Sequence, residues 1–579
     1  MHSIDIDSRN LNTLWASVCA ETLSRCGVRR AVISPGSRSS PLTIALAQHA
    51  GIEAIPVLDE RSAAFFALGL AKQQGEPVVL LCTSGTAGAN YLPALIEARE
   101  SAVPLIVITA DRPPELRGCA SGQTIDQLKL FGDFVNFFHE LALPEATEPR
   151  LRYLRQTMVH SVERALQPVA GPVHLNAPFR DPLAPTEDGG LAASFASTVD
   201  WPLFFQHVEP PLSTNILATI PTFSCDVHGL IVAGPAHPGD PAAHAAIVGE
   251  IAQKLGWPVL ADGLSPLRNY AGTVPHLVTT YDTIIRNPEV AERLKPEVVI
   301  CIGNWPTSKV LRAWLEESAA PTWMVTRRLD NRDALHGRTV HLPVSLAALA
   351  AELPVATDPN GYEQMWAGYE HRVRVALDDR ITQANGLFEG RVTALLAQHL
   401  PPDTTLCVAN SMPVRDMEYF WPATDQHIRP MSNRGANGID GTLSTALGVA
   451  HAAETPTVLL TGDLALLHDT NGWLIAPKFR GSLTIVLINN AGGGIFEHLP
   501  VAQFNPPFEE FFATPQKVDF AKLCSAYGIE HVAVGDWEQL GTHLEHLPAN
   551  GVHVLEICTD RKMDAATRKQ LFADLAAEL

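Results

Sequence analysis

Short apolar runs rich in β-branched residues alternate with longer helix-period patterns along the whole 579-residue chain, and this alternation limits the fold more than any other feature. A strand that is apolar on both faces must be covered on both, which crossover helices between parallel strands achieve. The first third reads as strands at RRAVISPG, EAIPVL, PVVLLCTSG, PLIVITAD and GPVHLNAP, with helices such as ERSAAFFALGLAKQQG and YLPALIEARES between them. The middle third continues with HGLIVAGP, WPVLAD, PEVVICIGN and PTWMVT, and the last with TTLCVANS, TPTVLLTGD, SLTIVLINN and GVHVLEICT. The expected class is α/β, with doubly wound parallel sheets.

Two stretches break the rhythm, 180–200 and 352–364, both rich in Pro, Gly, Asp and small residues as linkers are. They give three expected doubly wound domains, 1–185, 200–352 and 365–579. No run approaches the roughly 18 apolar residues that cross a bilayer, so no membrane insertion is expected. The start, MHSIDIDSRN, sets Asp5 and Asp7 where a secretory signal carries basic residues, and the expected location is the cytoplasm. Nine cysteines (19, 26, 82, 119, 225, 301, 407, 524 and 558) are scattered without a C-x-x-C pair. They are expected to be buried thiols in a reducing compartment, not a disulfide framework or a zinc site. A formal charge of −20 argues against nucleic acid or anionic membrane as a partner. A small anionic substrate needs only a local group of Arg and Lys.

Open α/β sheets bind ligands beyond the carboxyl ends of their strands. Seven such ends are rich in Gly, Ser, Asn and Asp: SPGSRSS, CTSGTAGAN, TADRPPELR, ANSMPVR, SNRGANGIDG, TGDLALLHDTN and NNAGGGIFEH. The most specific pair lies in the last domain. One strand runs into Thr461-Gly462-Asp463-Leu464, and 27 positions after Asp463 a second ends in Asn489-Asn490-Ala491-Gly492. A carboxylate on Asp463, an amide oxygen on Asn490 and the carbonyl of Gly492 are hard oxygen donors of the kind Mg²⁺ or Mn²⁺ prefers, completed by phosphate and water. Glycines beside them let the backbone approach a diphosphate closely. Asp463 could equally cap the following helix, and the Asn-Gly run could be an ordinary turn.

This arrangement resembles the Gly-Asp-Gly…Asn-Asn signature of thiamine-diphosphate enzymes, with Leu464 in place of the second Gly. The longer motifs SPGSRSSPLTIA, DERSAAFFALGLAK, CTSGTAGANYLPA, SNRGANGIDG and GDLALLHDTNGW resemble one family within them, the 2-succinyl-5-enolpyruvyl-6-hydroxy-3-cyclohexene-1-carboxylate synthases. The likeness runs from about residue 10 to the C-terminus. It implies pyrimidine-binding, middle and diphosphate-binding domains, thiamine diphosphate with Mg²⁺ or Mn²⁺, and a role in menaquinone or phylloquinone biosynthesis. The implied reaction is decarboxylation of 2-oxoglutarate and addition of the succinyl carbanion equivalent to isochorismate. Glu60, at a helix start after a strand, matches the family's catalytic glutamate, which bonds the cofactor's pyrimidine nitrogen; alone, it would read as a favourable partner of the helix dipole.

The same resemblance implies that Arg38, Arg112, Arg415 and Arg434 bind substrate carboxylates and that Gln123 hydrogen-bonds there. Lys309 matches a cationic position of the middle domain, with Val310 beside it where some relatives carry Arg, and Arg312 nearby. Ile439 matches the aliphatic residue that props the cofactor in a bent form, though it also reads as a core isoleucine. Ile495, Phe496 and Leu499 read either as an apolar wall around the carbanion or as one face of an amphipathic core helix. Gly462, Asp463, Leu464, Asn490 and Gly492 are the implied cofactor contacts, and His468 reads as structural. Since the family builds each site from two subunits, a homodimer or homotetramer is implied. The rival readings are another thiamine-diphosphate 2-oxoacid decarboxylase or carboligase, and a cofactor-binding protein without catalysis.

Overall fold

A computed structural model describes residues 4–211, 220–224, 226–328, 330–356, 361–384 and 386–579. It contains three six-stranded, wholly parallel sheets. The first is built from β1 (Arg30–Ile33), β2 (Glu53–Pro56), β3 (Val78–Cys82), β4 (Leu105–Asp111), β5 (Phe137–Glu140) and β6 (Pro172–Pro178), in the order β2-β1-β3-β4-β6-β5. The second has β7 (Gly229–Ala233), β8 (Val259–Ala261), β9 (Leu277–Val278), β10 (Val298–Ile302), β11 (Thr322–Val325) and β12 (Thr339–Leu342), in the order β12-β11-β10-β7-β8-β9. The third has β13 (Thr405–Val408), β14 (Arg429–Met431), β15 (Thr457–Gly462), β16 (Ser482–Asn489), β17 (Glu530–Ala533) and β18 (Gly551–Cys558), in the order β14-β13-β15-β16-β18-β17.

The first and third sheets thus share one topology, and the second has another. In the first and third, the chain reverses direction across the sheet between the first and third strands in sequence, which opens a crevice at their carboxyl ends. In the second sheet the reversal falls between β7 and β10, where the backbone of Gly234 lies against that of Asn304. A Cβ on Gly234 would stand 1.6 Å from the Asn304 carbonyl oxygen, so only glycine fits at this point of closest approach.

By density of contacts the described chain separates into two compact units. The first comprises 1–214, 433–452 and 469–479; the second comprises 215–432, 453–468 and 480–579. In the first, the helix Glu60–Gln74 is capped by Asp59, whose carboxylate accepts the Ser62 N–H, and is closed by left-handed Gly75. It crosses the helix Thr442–Ala452 so closely that a Cβ on Gly69 would lie 2.0 Å from the Thr445 carbonyl oxygen. The stretch 180–200 is strapped to this unit: Asn12 donates to the carbonyls of Arg180 and Pro182, and Asn10 to those of Ala184 and Thr186. A short helix, Leu191–Ala196, buries Ala192 and Ala196 there.

The expectation of buried thiols needs correcting at two positions. Cys119 and Cys558 are exposed, one in a polar loop after β4 and the other at the last residue of β18, where the sheet gives way to solvent. The other six described cysteines are buried, and Cys225 lies outside the described residues.

Candidate functional site

In the second unit, the carboxyl ends of β15 and β16 lie side by side, with Gly462 opposite Ile488. That pairing brings Asp463, which opens the helix Asp463–Leu467, next to the loop that begins at Asn490. Asp463 is buried; its Oδ1 accepts the Leu464 N–H at 2.8 Å and its Oδ2 accepts the Gly492 N–H at 2.8 Å. Burial pushes its carboxyl up to about 6. Gly492 has φ +131°, and a Cβ there would meet the Ala513 carbonyl oxygen at 2.3 Å, so only glycine fits the turn. Asn490 is buried too: its Nδ2 donates to Glu389 Oε1 at 2.7 Å, while its Oδ1 has no hydrogen-bond partner among the described residues.

The site can be tested against a divalent cation on this geometry. A buried amide oxygen without a partner is costly unless something else satisfies it. The Asp463 carboxylate, tied to the same loop through the Gly492 N–H, and the Gly492 carbonyl, which accepts the Gly494 N–H at 2.9 Å, complete a hard-oxygen set whose chemistry fits Mg²⁺ or Mn²⁺ and disfavours softer metals. Among the described residues no cluster of three or more His, Cys, Asp and Glu is arranged to hold a metal unaided. A cation here would rely on diphosphate and water for the rest of its shell.

The surroundings of this pair escaped sequence reading. Glu389, the first residue of the helix Glu389–His399, is buried, and its Oε2 lies 3.4 Å from Arg568 Nη2. Arg568 is buried as well; it bonds Asp416 Oδ1 at 2.7 Å and approaches His498 Nε2 at 3.3 Å, between the rings of Phe388 and Phe420. Burial and the neighbouring charge of Glu389 push the Asp564 carboxyl upward, and burial does the same to Asp416. The run GLFEGRVTALL reads as an ordinary helix start, and nothing in it signals this contact.

Other sequence candidates of the second unit are placed as follows. Arg415 lies within the helix Met412–Phe420, half-buried, donating to the Ser411 carbonyl. Burial lowers its guanidinium from the usual range, and Arg312 adds a like charge. Lys309 is exposed at the first position of the helix Lys309–Ser318, whereas Val310 packs on the core beside β10. Ile495 and Phe496 are half-buried on the 3₁₀ turn Gly494–His498, and Leu499, the residue after it, is 36% exposed. The core-helix alternative for these three therefore falls, because a turn of this length leaves them partly open to solvent. His468 is exposed at the end of the Asp463–Leu467 helix.

The first unit holds the remaining candidates. Glu60 is half-buried at the first turn of its helix, beside Asp59, which also accepts from Asn471 Nδ2 at 2.8 Å. Arg38 follows β1; it is buried, with Nη1 on the Phe179 carbonyl at 2.9 Å and 3.5 Å from Asp181 Oδ1, and its Nε has no partner among the described residues. Burial first, and then the charge of Arg112, hold its guanidinium below the usual range. Arg112 follows β4 directly and bonds the Gly122 carbonyl at 3.3 Å. Gln123 is exposed and donates to the Ser84 carbonyl at 2.9 Å. Beneath these loops a buried network ties Gly85 N–H to Gln127, Gln127 to Asn176, and Asn176 to Asp111. Two arginines set close together, one of them buried, are an arrangement that an anion rewards. Arg434 and Ile439 are half-buried in the same unit, on the segment whose Gly435 and Ala436 N–H groups donate to Glu97 at 3.0 and 2.7 Å.

Comparison with known proteins gives this geometry a class. The chain matches three family models in sequence order: "Thiamine pyrophosphate enzyme, N-terminal TPP binding domain" over 15–130, "Middle domain of thiamine pyrophosphate" over 218–408, and "Thiamine pyrophosphate enzyme, C-terminal TPP binding domain" over 416–557. The crystal structure of benzoylformate decarboxylase from Polynucleobacter necessarius superposes with a TM-score of 0.66 over 94% of this chain and 98% of that one. At 18% identity this speaks to fold alone. Fold and sequence models together define a thiamine pyrophosphate enzyme.

Among curated proteins, the 2-succinyl-5-enolpyruvyl-6-hydroxy-3-cyclohexene-1-carboxylate synthase of Microcystis aeruginosa (strain NIES-843) is 53% identical over 96% of this chain and 98% of its own. That of Synechococcus sp. (strain JA-3-3Ab) is 54% identical over 98% and 97%, and that of Acaryochloris marina is 51% identical over 99% and 100%. The chain belongs to the 2-succinyl-5-enolpyruvyl-6-hydroxy-3-cyclohexene-1-carboxylate synthase family.

Proposed function

We propose that this enzyme decarboxylates 2-oxoglutarate and adds the succinyl unit to isochorismate, a step of menaquinone or phylloquinone biosynthesis. The observation that carries this is the identity of about half with synthases of that name, sustained along the full length of both chains. Thiamine diphosphate supplies the electron sink for the decarboxylation. Asp463, Asn490 and the Gly492 carbonyl hold the divalent cation that binds its diphosphate, and Gly462 and Leu464 line that end. Glu60 hydrogen-bonds the pyrimidine ring nitrogen and so sets the ring's proton distribution, and Ile439 supports the ring.

Both substrates carry more than one carboxylate, and this acidic protein meets them with local cations. Arg38, Arg112, Gln123 and Arg434 in the first unit, with Lys309 and Arg415 in the second, are the proposed substrate contacts. Ile495, Phe496 and Leu499 limit water at the reacting carbon. Domain limits near 1–185, 200–352 and 365–579, a homodimer or homotetramer, and a cytoplasmic location complete the proposal. No helix of the described residues is long and apolar enough to cross a membrane.

The test is a turnover assay on purified protein with thiamine diphosphate, Mg²⁺, 2-oxoglutarate and isochorismate, following loss of isochorismate. Loss that needs every component is the expected result. Decarboxylation of another 2-oxoacid with isochorismate untouched would replace the substrate assignment with that of a different carboligase or decarboxylase.

A further inference from the structure

We propose that Glu389 is a positioning residue for the divalent cation: it fixes the side-chain amide of Asn490 so that the oxygen, not the nitrogen, faces the metal. An asparagine amide can present either end, and the two differ by a half-turn about one bond. What decides between them here is a buried carboxylate. Glu389 Oε1 accepts from Asn490 Nδ2 at 2.7 Å and from the Thr559 hydroxyl at 3.3 Å. A carboxylate oxygen facing an amide oxygen at that distance would repel it, so the nitrogen is held on the Glu389 side. The amide oxygen is thereby turned to the other side, where it is buried and without a partner among the described residues.

Glu389 is kept from acting as a ligand itself. Its second oxygen, Oε2, lies toward Arg568 Nη2 at 3.4 Å, and Arg568 is anchored in turn by Asp416 at 2.7 Å. The role is that of the outer-shell partners that orient metal ligands, whose loss typically weakens metal affinity about 10–100-fold. It rests on the reading of Asp463, Asn490 and Gly492 as the cation site.

The experiment measures Mn²⁺ affinity of the full-length protein with thiamine diphosphate present, by electron paramagnetic resonance, with a thermal scan on each variant. Glu389→Gln can donate to Asn490 Oδ1 and so releases the amide from its fixed sense; Mn²⁺ should bind about tenfold more weakly. The double variant Glu389→Gln/Asn490→Asp restores a donor–acceptor pair with the roles exchanged and leaves an oxygen for the metal. It should recover affinity to within about threefold of the parent, a rescue that loss of fold cannot produce. Parent-like affinity in Glu389→Gln, or a double variant as weak as the single, would overturn the proposal while leaving the cation site standing. Equal Mn²⁺ binding by the parent and Asn490→Ala would instead remove the cation-site reading, and the role of Glu389 with it. Should Glu389→Gln not fold, the double variant alone decides: parent-like binding supports the role, and a tenfold loss overturns it.

Discussion

Glu60 sits at the first turn of its helix with no side-chain hydrogen bond or ion pair among the described residues, so its carboxylate is available to a ligand. Replacing it by Gln keeps the size and removes the ability to hold a proton. The expected outcome is a fall in kcat of about 10²–10⁴-fold, with the dissociation constant for thiamine diphosphate changed far less. Steady-state kinetics beside a cofactor titration checks this, and unchanged turnover would end the proposed role. A second residue gives a pH prediction. His174 is buried against the Thr109 hydroxyl at 2.7 Å, and burial pushes its imidazole down to about 3. The folded value lies below the unfolded one of about 6.5, so its stabilising effect is complete above pH 6.5 and is lost as pH falls from there toward 3. His451 and His498, both pushed down to about 4, act with the same sign; Asp463 and Asp469, both raised to about 6, act with the opposite one. Comparing His174→Gln with the parent isolates the one group: between pH 7 and 5 the variant's melting temperature should fall less steeply. Parallel curves would refute the assignment. At this scale the sequence was legible wherever residues stood in a motif, as Asp463 and Asn490 do. It was silent on Glu389, whose partner is 101 positions away and whose neighbours carry no pattern.

The strands divide by position in their sheets. All twelve inner strands, together with the edge strand β2, stand out in the sequence, whereas β5, β9, β12, β14 and β17 do not, and these five are all edges. The physical reason is burial: β3 and β4 are buried at every residue and open on apolar runs of four or more, while β5 and β17 are largely half-exposed and mix His and Glu into the strand. Helix contacts carry their own signal only in hindsight. At the crossing of Glu60–Gln74 with Thr442–Ala452, a Cβ on Gly448 would lie 2.1 Å from the Phe66 carbonyl oxygen, much as one on Gly69 would lie 2.0 Å from that of Thr445. The obstacle at both points is backbone, which cannot swing aside. Gly69→Ala should therefore destabilise the protein by about 3 kcal/mol, at or above the upper end of overpacking penalties. Denaturant unfolding checks this, and a stability equal to the parent's would show that the helices can part at no cost.

For the molecule as a whole, the α/β class follows from the alternating pattern, and motif likeness, not periodicity, gave the family and its reaction. The partition into two units is another matter, because it depends on which helix packs where and no local pattern reports that. The assembly proposal belongs here too. Size-exclusion chromatography with activity followed in line should place all turnover at or above twice the mass of one chain; a fully active monomer would refute the proposed dimer.

The first unit takes its residues from three separate stretches, the last of which ends at 479. Synthesis imposes an order on that arrangement. The helix Glu60–Gln74, apolar over most of its surface, leaves the ribosome far ahead of the helix that closes over Gly69 and ends at Ala452. At about 5–20 residues per second, the wait is on the order of half a minute. Through that interval the apolar face around Gly69 waits for a partner helix not yet made, so co-expressing a chaperone that binds nascent apolar surface is expected to raise the yield of folded enzyme.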